Sequence, residues 1–299
     1  MKRRFDPDKR RYHEGDGTEA WGLKFLPLHT KTPFGRVLLD IPYVAGVSPA
    51  AEARVTVETL RLLRPDLPGP HFHVHDGAMT AAHNQSLLTE LGSVLVHRTR
   101  AKSNPKIKGR SIGNREPDEG LVDVKTIKRI DGTDEELRIY QVDGELGLME
   151  LTERGKRVFD AMPPTKLIMN RNRNRNRNAT SASYRPYIGL KLPAHIALRT
   201  GKREITVALY QTADDRKRRY LRTAHVRAIG RSNPDFAIYP KMRGDAESLN
   251  RTIEDSLYRH HRAHSDGWRR QQVDMLGLAG LINALTRERT RRQAVPQAA

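Results

Sequence analysis

Cysteine is missing from all 299 residues, which excludes disulfides, thiolate zinc sites and cysteine nucleophiles. An apolar run of transmembrane length is also missing, as is a charged leader followed by an apolar stretch, so the expected location is the cytoplasm with no membrane partner. Three motifs are absent: a Gly-rich phosphate loop ending in Lys-Ser/Thr, a G-x-S-x-G elbow and a dinucleotide fingerprint. Negative charge is scarce, with 35 Asp and Glu against 54 Lys and Arg and a net charge of +19. A phosphate backbone is the natural counter-surface for such a chain, although charge alone does not separate DNA from other polyanions. Aromatic residues make up only 6%, but a hydrophobic content of 37% suffices for one substantial core and an inserted subdomain.

Against this background the stretch Tyr239 to Leu257 stands out. Gly244 or Asp245 is a candidate N-cap, and Ala246, Leu249, Ile253 and Leu257 recur at helical spacing as a buried stripe. Glu247, Asn250, Arg251 and Glu254 line another side of the same helix, with Arg243 just ahead of its first turn. The same spacing also suits a solvent-facing helix laced with salt bridges.

A second acidic signal lies upstream, where the alternation in His71-Phe-His-Val-His75 reads as a strand ending at Asp76 and Gly77. The histidines read as packing or surface groups, because no further ligand for a metal is in view. Ala81 to Gly92 follows as a helix stopped by Gly92, and Val94-Leu-Val96 as the next strand. A carboxylate at a strand end and another on a distant helix together offer oxygen ligands to Mg²⁺ or Mn²⁺.

Between the two signals the character of the chain changes. Residues 99–118 are basic and rich in Gly, Pro and Asn, as in an exposed loop. Strands are expected at 121–124, 136–142 and 146–151, with Asp143-Gly144 as a hairpin turn, and again at 187–192, 196–198 and 204–210. Within this β-rich region the run Asn170 to Asn178 alternates Asn and Arg and reads as a loop with no core to bury. Ser181, Ser183, Tyr184 and Tyr187 suit either contact with unpaired bases or the start of a strand. Near the C-terminus, Asp266 to Arg287 reads as a helix burying Val273, Leu276, Leu278, Leu281 and Leu285, with Arg269 and Arg270 among its basic outer positions.

The Asp76-Gly-Ala turn, the Tyr239…Arg243…Glu247 block and the tail from Arg262 to Leu285 together resemble DDE transposases of bacterial insertion sequences, over most of residues 5–290. The resemblance implies an α/β, RNase H-like mixed sheet with flanking helices, interrupted by a β-rich insertion. Its expected divisions are 1–98 and 231–292 for the two parts of the core, 99–230 for the basic loop and insertion, and 293–299 for a disordered tail. It further implies metal-dependent DNA cleavage and strand transfer in transposition, with Asp76 and Glu247 as catalytic carboxylates on Mg²⁺ or Mn²⁺. Arg243, Asn250, Arg251, Arg269 and Arg270 are the implied DNA contacts, transposon ends and target the DNA partners, a homodimer on DNA the assembly in view, and the nucleoid the location.

Two departures concern the Glu block: three residues rather than two separate Tyr239 from Arg243, and Glu254 stands where a Lys or Arg is expected. A third concerns the first Asp of the family. Residues 1–15 are mostly charged and lack the apolar run of a buried central strand, and the pair 23–29 and 35–41 reads as the second and third strands. On this alignment the chain is N-terminally truncated, with Asp16 of Asp16-Gly-Thr as the alternative first acid. A non-catalytic, basic nucleic-acid-binding remnant is therefore the competing expectation.

Overall fold

The computed structural model describes residues 10–13, 19–32, 35–45, 49–66, 72–75, 79–96, 120–151, 153–154, 157–171, 184–230, 233–237, 241–245, 248–249, 251 and 267–294. They form a mixed α/β protein of several sheets and helices, with no barrel among the described residues. In chain order the first elements are β1 (Arg10–His13), β2 (Glu19–Gly22), β3 (Leu28–Thr32), β4 (Gly35–Asp40), α1 (Pro49–Leu63), β5 (Phe72–Val74), α2 (Ala81–Thr89) and β6 (Val94–Val96). Next come β7 (Leu121–Lys128), β8 (Asp134–Val142), β9 (Glu145–Leu151), β10 (Arg157–Ala161), β11 (Pro164–Arg171) and β12 (Tyr184–Lys191). The remainder are α3 (Ala194–Thr200), β13 (Glu204–Ala208), α4 (Ala213–Lys217), α5 (Arg222–His225), a 3₁₀ turn (Pro234–Ala237) and α6 (Gly267–Ala294). Among the described residues no helix is long and apolar enough to cross a membrane.

Two compact units result, one of Met1–Leu63 with Met242–Ala299 and the other of Arg64–Lys241. In the first, β3 and β4 pair antiparallel, and the Phe25–Tyr43 bridge prolongs the ladder, with the two rings 5.6 Å apart. β1 and β2 form a separate two-stranded ribbon ahead of the strand pair that the sequence suggested as the first. A two-stranded ribbon with the exposed Arg11 does not need the apolar run of a buried strand.

α6 runs to Ala294, past the Arg287 at which the sequence suggests it ends, and it turns a different face inward. Leu38, Ile41, Leu249 and Ala279 are buried together, with Met275, Leu278 and Ile282 packed against them. Leu276, Leu281 and Leu285 are instead exposed, and the side chain of Val273 lies outside the described residues. The face is chosen by polar groups: Asn283 exchanges two hydrogen bonds with the backbone of Leu38, and the Thr286 hydroxyl donates to Arg36 O at 2.9 Å.

In the second unit β5 and β6 pair in parallel, with α2 as their connection. Gly92 closes that connection at φ +63°, which favours glycine, and the Tyr184 ring lies 3.0 Å from where a Cβ would stand, so a side chain there would also crowd the ring. Tyr184 is thereby a packing group, capped by Arg64, whose Nη2 donates to its hydroxyl at 2.6 Å.

This unit also holds two antiparallel sheets, ordered β10-β9-β8-β7 and β11-β12-β13, together with α3, α4, α5 and the 3₁₀ turn. Val122, Ile127, Leu137, Ile139, Leu146 and Leu148 of the first share a core with Ile188, Leu190, Ile205 and Val207 of the second. Asp143 (φ 52°) and Gly144 (φ 88°) make the expected two-residue turn between β8 and β9. Three readings are corrected. β10 and β11 were not expected; β11 runs into the Asn-Arg repeat, because Asn170 and Arg171 pair with Arg185 and Tyr184, while the rest of the repeat lies outside the described residues. Residues 196–198, expected as strand, lie in α3, which Pro193 starts and Gly201 stops.

Candidate nucleic-acid interface

Asp76 follows the first strand of the strand–helix–strand unit in sequence. β5 and β6 align Phe72 with Val94, His73 with Leu95 and Val74 with Val96, and all three residues of β6 are buried. α2 is fastened by Asn84, whose Nδ2 donates to Thr223 O at 2.7 Å, and by the Thr223 hydroxyl, which donates to Ala81 O at 2.8 Å. Asp76 comes two residues after the end of β5 in sequence, and itself lies outside the described residues. In parallel α/β units the ground beyond the carboxyl ends of the strands is where ligands bind.

The Glu block is described only in part. Residues 241–245 are helical, so Gly244 and Asp245 are themselves helical residues and the expectation that either is an N-cap is corrected. Asp245 instead pairs with Arg36 at 3.3 Å. Arg243 and Arg251 are exposed and Leu249 is buried, while Glu247 and Asn250 lie outside the described residues, as do Asp16, Ala246, Ile253 and Leu257. Among the described residues, no three or more His, Asp or Glu gather into a group that could hold a metal.

No protein-family model, curated protein or solved structure matches the chain.

Basic side chains are the chemistry the described residues do present in the first unit. Arg269 and Arg270 belong to the first turn of α6, with side chains outside the described residues. Farther along, Arg287, Arg289 and Arg291 are exposed, and Arg287 and Arg291 stand one turn apart. Such a row can follow a phosphate backbone through charge and hydrogen bonds without reading sequence.

The second unit holds a cavity that the sequence did not announce. It measures about 450 Å³ and is lined by Met162, Ile188 and Leu190 together with Glu145, Arg227 and Asp235. Arg227 is buried and donates to the carbonyls of Thr223, Ala224 and Val226 at the C-terminal end of the short helix α5. Burial lowers its pKa to about 10, which leaves it cationic at neutral pH. Nothing in the spacing around residue 227 signals this, because an isolated arginine reads as a surface group.

Proposed function

We propose that this chain is the core of a DDE-type transposase, RNase H-like with a β-rich insertion, acting on transposon ends and target DNA. The proposal stands on the parallel β5–α2–β6 unit, after whose first strand Asp76 follows by two residues. The net charge of +19 and the exposed Arg287, Arg289 and Arg291 support a DNA partner. The two sheets β7–β10 and β11–β13 fall between Asp76 and Glu247 in the chain, where the insertion of such enzymes belongs.

In this reading Asp76 and Glu247 would hold Mg²⁺ or Mn²⁺, with Asp16 as the candidate third carboxylate that nicking requires, and carboxylate oxygens suit these hard cations. The bound metal supplies activation of a water for nicking and then of a 3′-hydroxyl for strand transfer. Arg243 and Arg251, both exposed, steady the phosphate, and Asn250 binds the flanking strand. Arg269, Arg270, Arg287 and Arg291 hold the backbone on either side.

Duplex binding across a salt series, together with nicking of supercoiled plasmid in Mn²⁺, tests the proposal. Binding that weakens steeply with salt, with nicking lost in Asp76→Asn and in Glu247→Gln, is the expected result. Binding with no nicking reduces the chain to a non-catalytic DNA-binding remnant. Failure to bind DNA at all overturns the proposal.

A further inference from the structure

The sheet β11–β12–β13 has two unlike faces. Ile188 and Leu190 of β12, with Ile205 and Val207 of β13, turn toward the core. Side chains alternate along a strand, so Arg185, Tyr187 and Lys191 occupy the opposite face of β12. Cross-strand register adds Lys166 and Ile168 of β11, opposite Gly189 and Tyr187, and Glu204 of β13, opposite Lys191.

An aromatic pair stands at the centre of this face. The hydroxyls of Tyr187 and Tyr210 share a hydrogen bond of 2.9 Å, and the rings meet edge to face, 5.6 Å apart at 88°. Burial first, and then the hydrogen bond with Tyr187, push the Tyr210 hydroxyl up to about 12. Arg185 and Lys191 are exposed on either side of Tyr187. The carboxylate on the face, Glu204, is neutralised by Lys166 and also accepts from the Thr165 hydroxyl at 3.1 Å.

A ring flanked by cations on an open sheet face is what an unpaired nucleotide needs: a surface to stack on and charges for its phosphates. A duplex cannot use the ring in this way, because its base faces are already stacked on one another. We infer that this face binds single-stranded DNA, with Tyr187 stacking on a base and Arg185 and Lys191 holding the flanking phosphates. The inference rests on the DNA reading above and adds a strand preference to it.

Fluorescence anisotropy on the full chain, with labelled oligothymidylate and a labelled duplex as probes, tests it. Tyr187→Ala is expected to weaken oligothymidylate binding roughly tenfold and leave duplex binding unchanged, whereas Tyr187→Phe keeps both. Arg185→Glu, an exposed change that leaves the core alone, gives the same selective loss and stands in if Tyr187→Ala melts early. Unaltered oligothymidylate binding in both Tyr187→Ala and Arg185→Glu overturns the inference, as does an equal loss on duplex. Tighter binding of oligouridylate than oligothymidylate overturns the assignment to DNA. A wild-type chain that binds duplex but not oligothymidylate sinks this inference alone, while one that binds neither sinks the DNA reading with it.

Discussion

Arg222 and Asp215 are buried together and joined by two hydrogen bonds, Nε to Oδ2 at 2.6 Å and Nη2 to Oδ1 at 2.9 Å. The same guanidinium donates to Ala208 O at 3.2 Å and to Val122 O at 2.8 Å. Ala208 belongs to β13 and Val122 to β7, which are edge strands of the two sheets, so one ion pair ties the sheet edges to α4 and α5. Arg218 adds bonds to Leu121 O and Val122 O, both at 3.0 Å.

Arg222→Met is therefore expected to cost about 3 kcal/mol, because the buried Asp215 carboxylate loses both bonds to Arg222 and keeps only Arg218, at 3.1 Å, and the Thr212 N–H, at 2.8 Å. The double change Arg222→Met with Asp215→Leu recovers part of the loss. Urea denaturation of the three proteins checks both statements, and a single-variant cost under about 1 kcal/mol contradicts the role given to the pair.

Acid should act through the same carboxyl. Burial pushes the Asp215 pKa up, but hydrogen bonds from Arg222 and from the Thr212 backbone N–H outweigh it and hold the group below its ordinary 3.8. A depressed folded pKa contributes stability that is present above the unfolded value and disappears as pH falls through the folded one. Thermal melts between pH 5 and pH 2 should show this loss beginning near pH 4 and a shallower decline in Asp215→Asn, from a lower starting point. Equal slopes for the two proteins count against it.

Tyr220 carries the opposite sign. Its hydroxyl has no hydrogen-bond partner among the described residues, while its ring stacks on His225 at 5.3 Å and lies under the Arg218 guanidinium. Burial pushes this hydroxyl far above its ordinary 10.0, so stability is present below pH 10 and falls as pH rises beyond it. Tyr220→Phe keeps the ring and is expected to be neutral or stabilising by up to about 1 kcal/mol at pH 7, with a smaller alkaline loss. Destabilisation at pH 7 by more than that amount argues that the hydroxyl is bonded.

In the other unit, Asn283 accepts from Leu38 N at 2.8 Å and donates to Leu38 O at 2.9 Å, which satisfies the backbone of β4 from a helix. Asn283→Leu leaves both groups unmet and should cost about 1–3 kcal/mol in chemical denaturation. A variant as stable as the parent means that water replaces the side chain there.

Local signals made much of this fold legible. Asp143-Gly144 marks a hairpin, and Ala81 to Gly92 shows both its helix and its stop. Where reading failed, a competing interaction decided. Ile196 sits in a short run that looks like strand, but Pro193 and Gly201 bound a helix around it. The leucines of α6 outweigh its other residues in hydrophobicity, yet Asn283 and Thr286 choose the buried face by bonding to β4, and a helical wheel cannot see that strand. Asp215 and Arg222 read as surface charges by composition. The available clue was Thr212, whose hydroxyl accepts from Asp215 N at 3.2 Å in a capping box. The strand–helix–strand unit ahead of Glu247 was legible, whereas the contacts of Asp76 and Glu247 fall outside the described residues.

Manganese titration of the whole chain, followed by electron paramagnetic resonance, addresses the central claim most directly. Saturable Mn²⁺ binding by the wild type, lost or weakened at least roughly tenfold in Asp76→Asn and again in Glu247→Gln, is the predicted result. Binding that survives both substitutions unchanged contradicts the assignment of these two carboxylates as metal ligands.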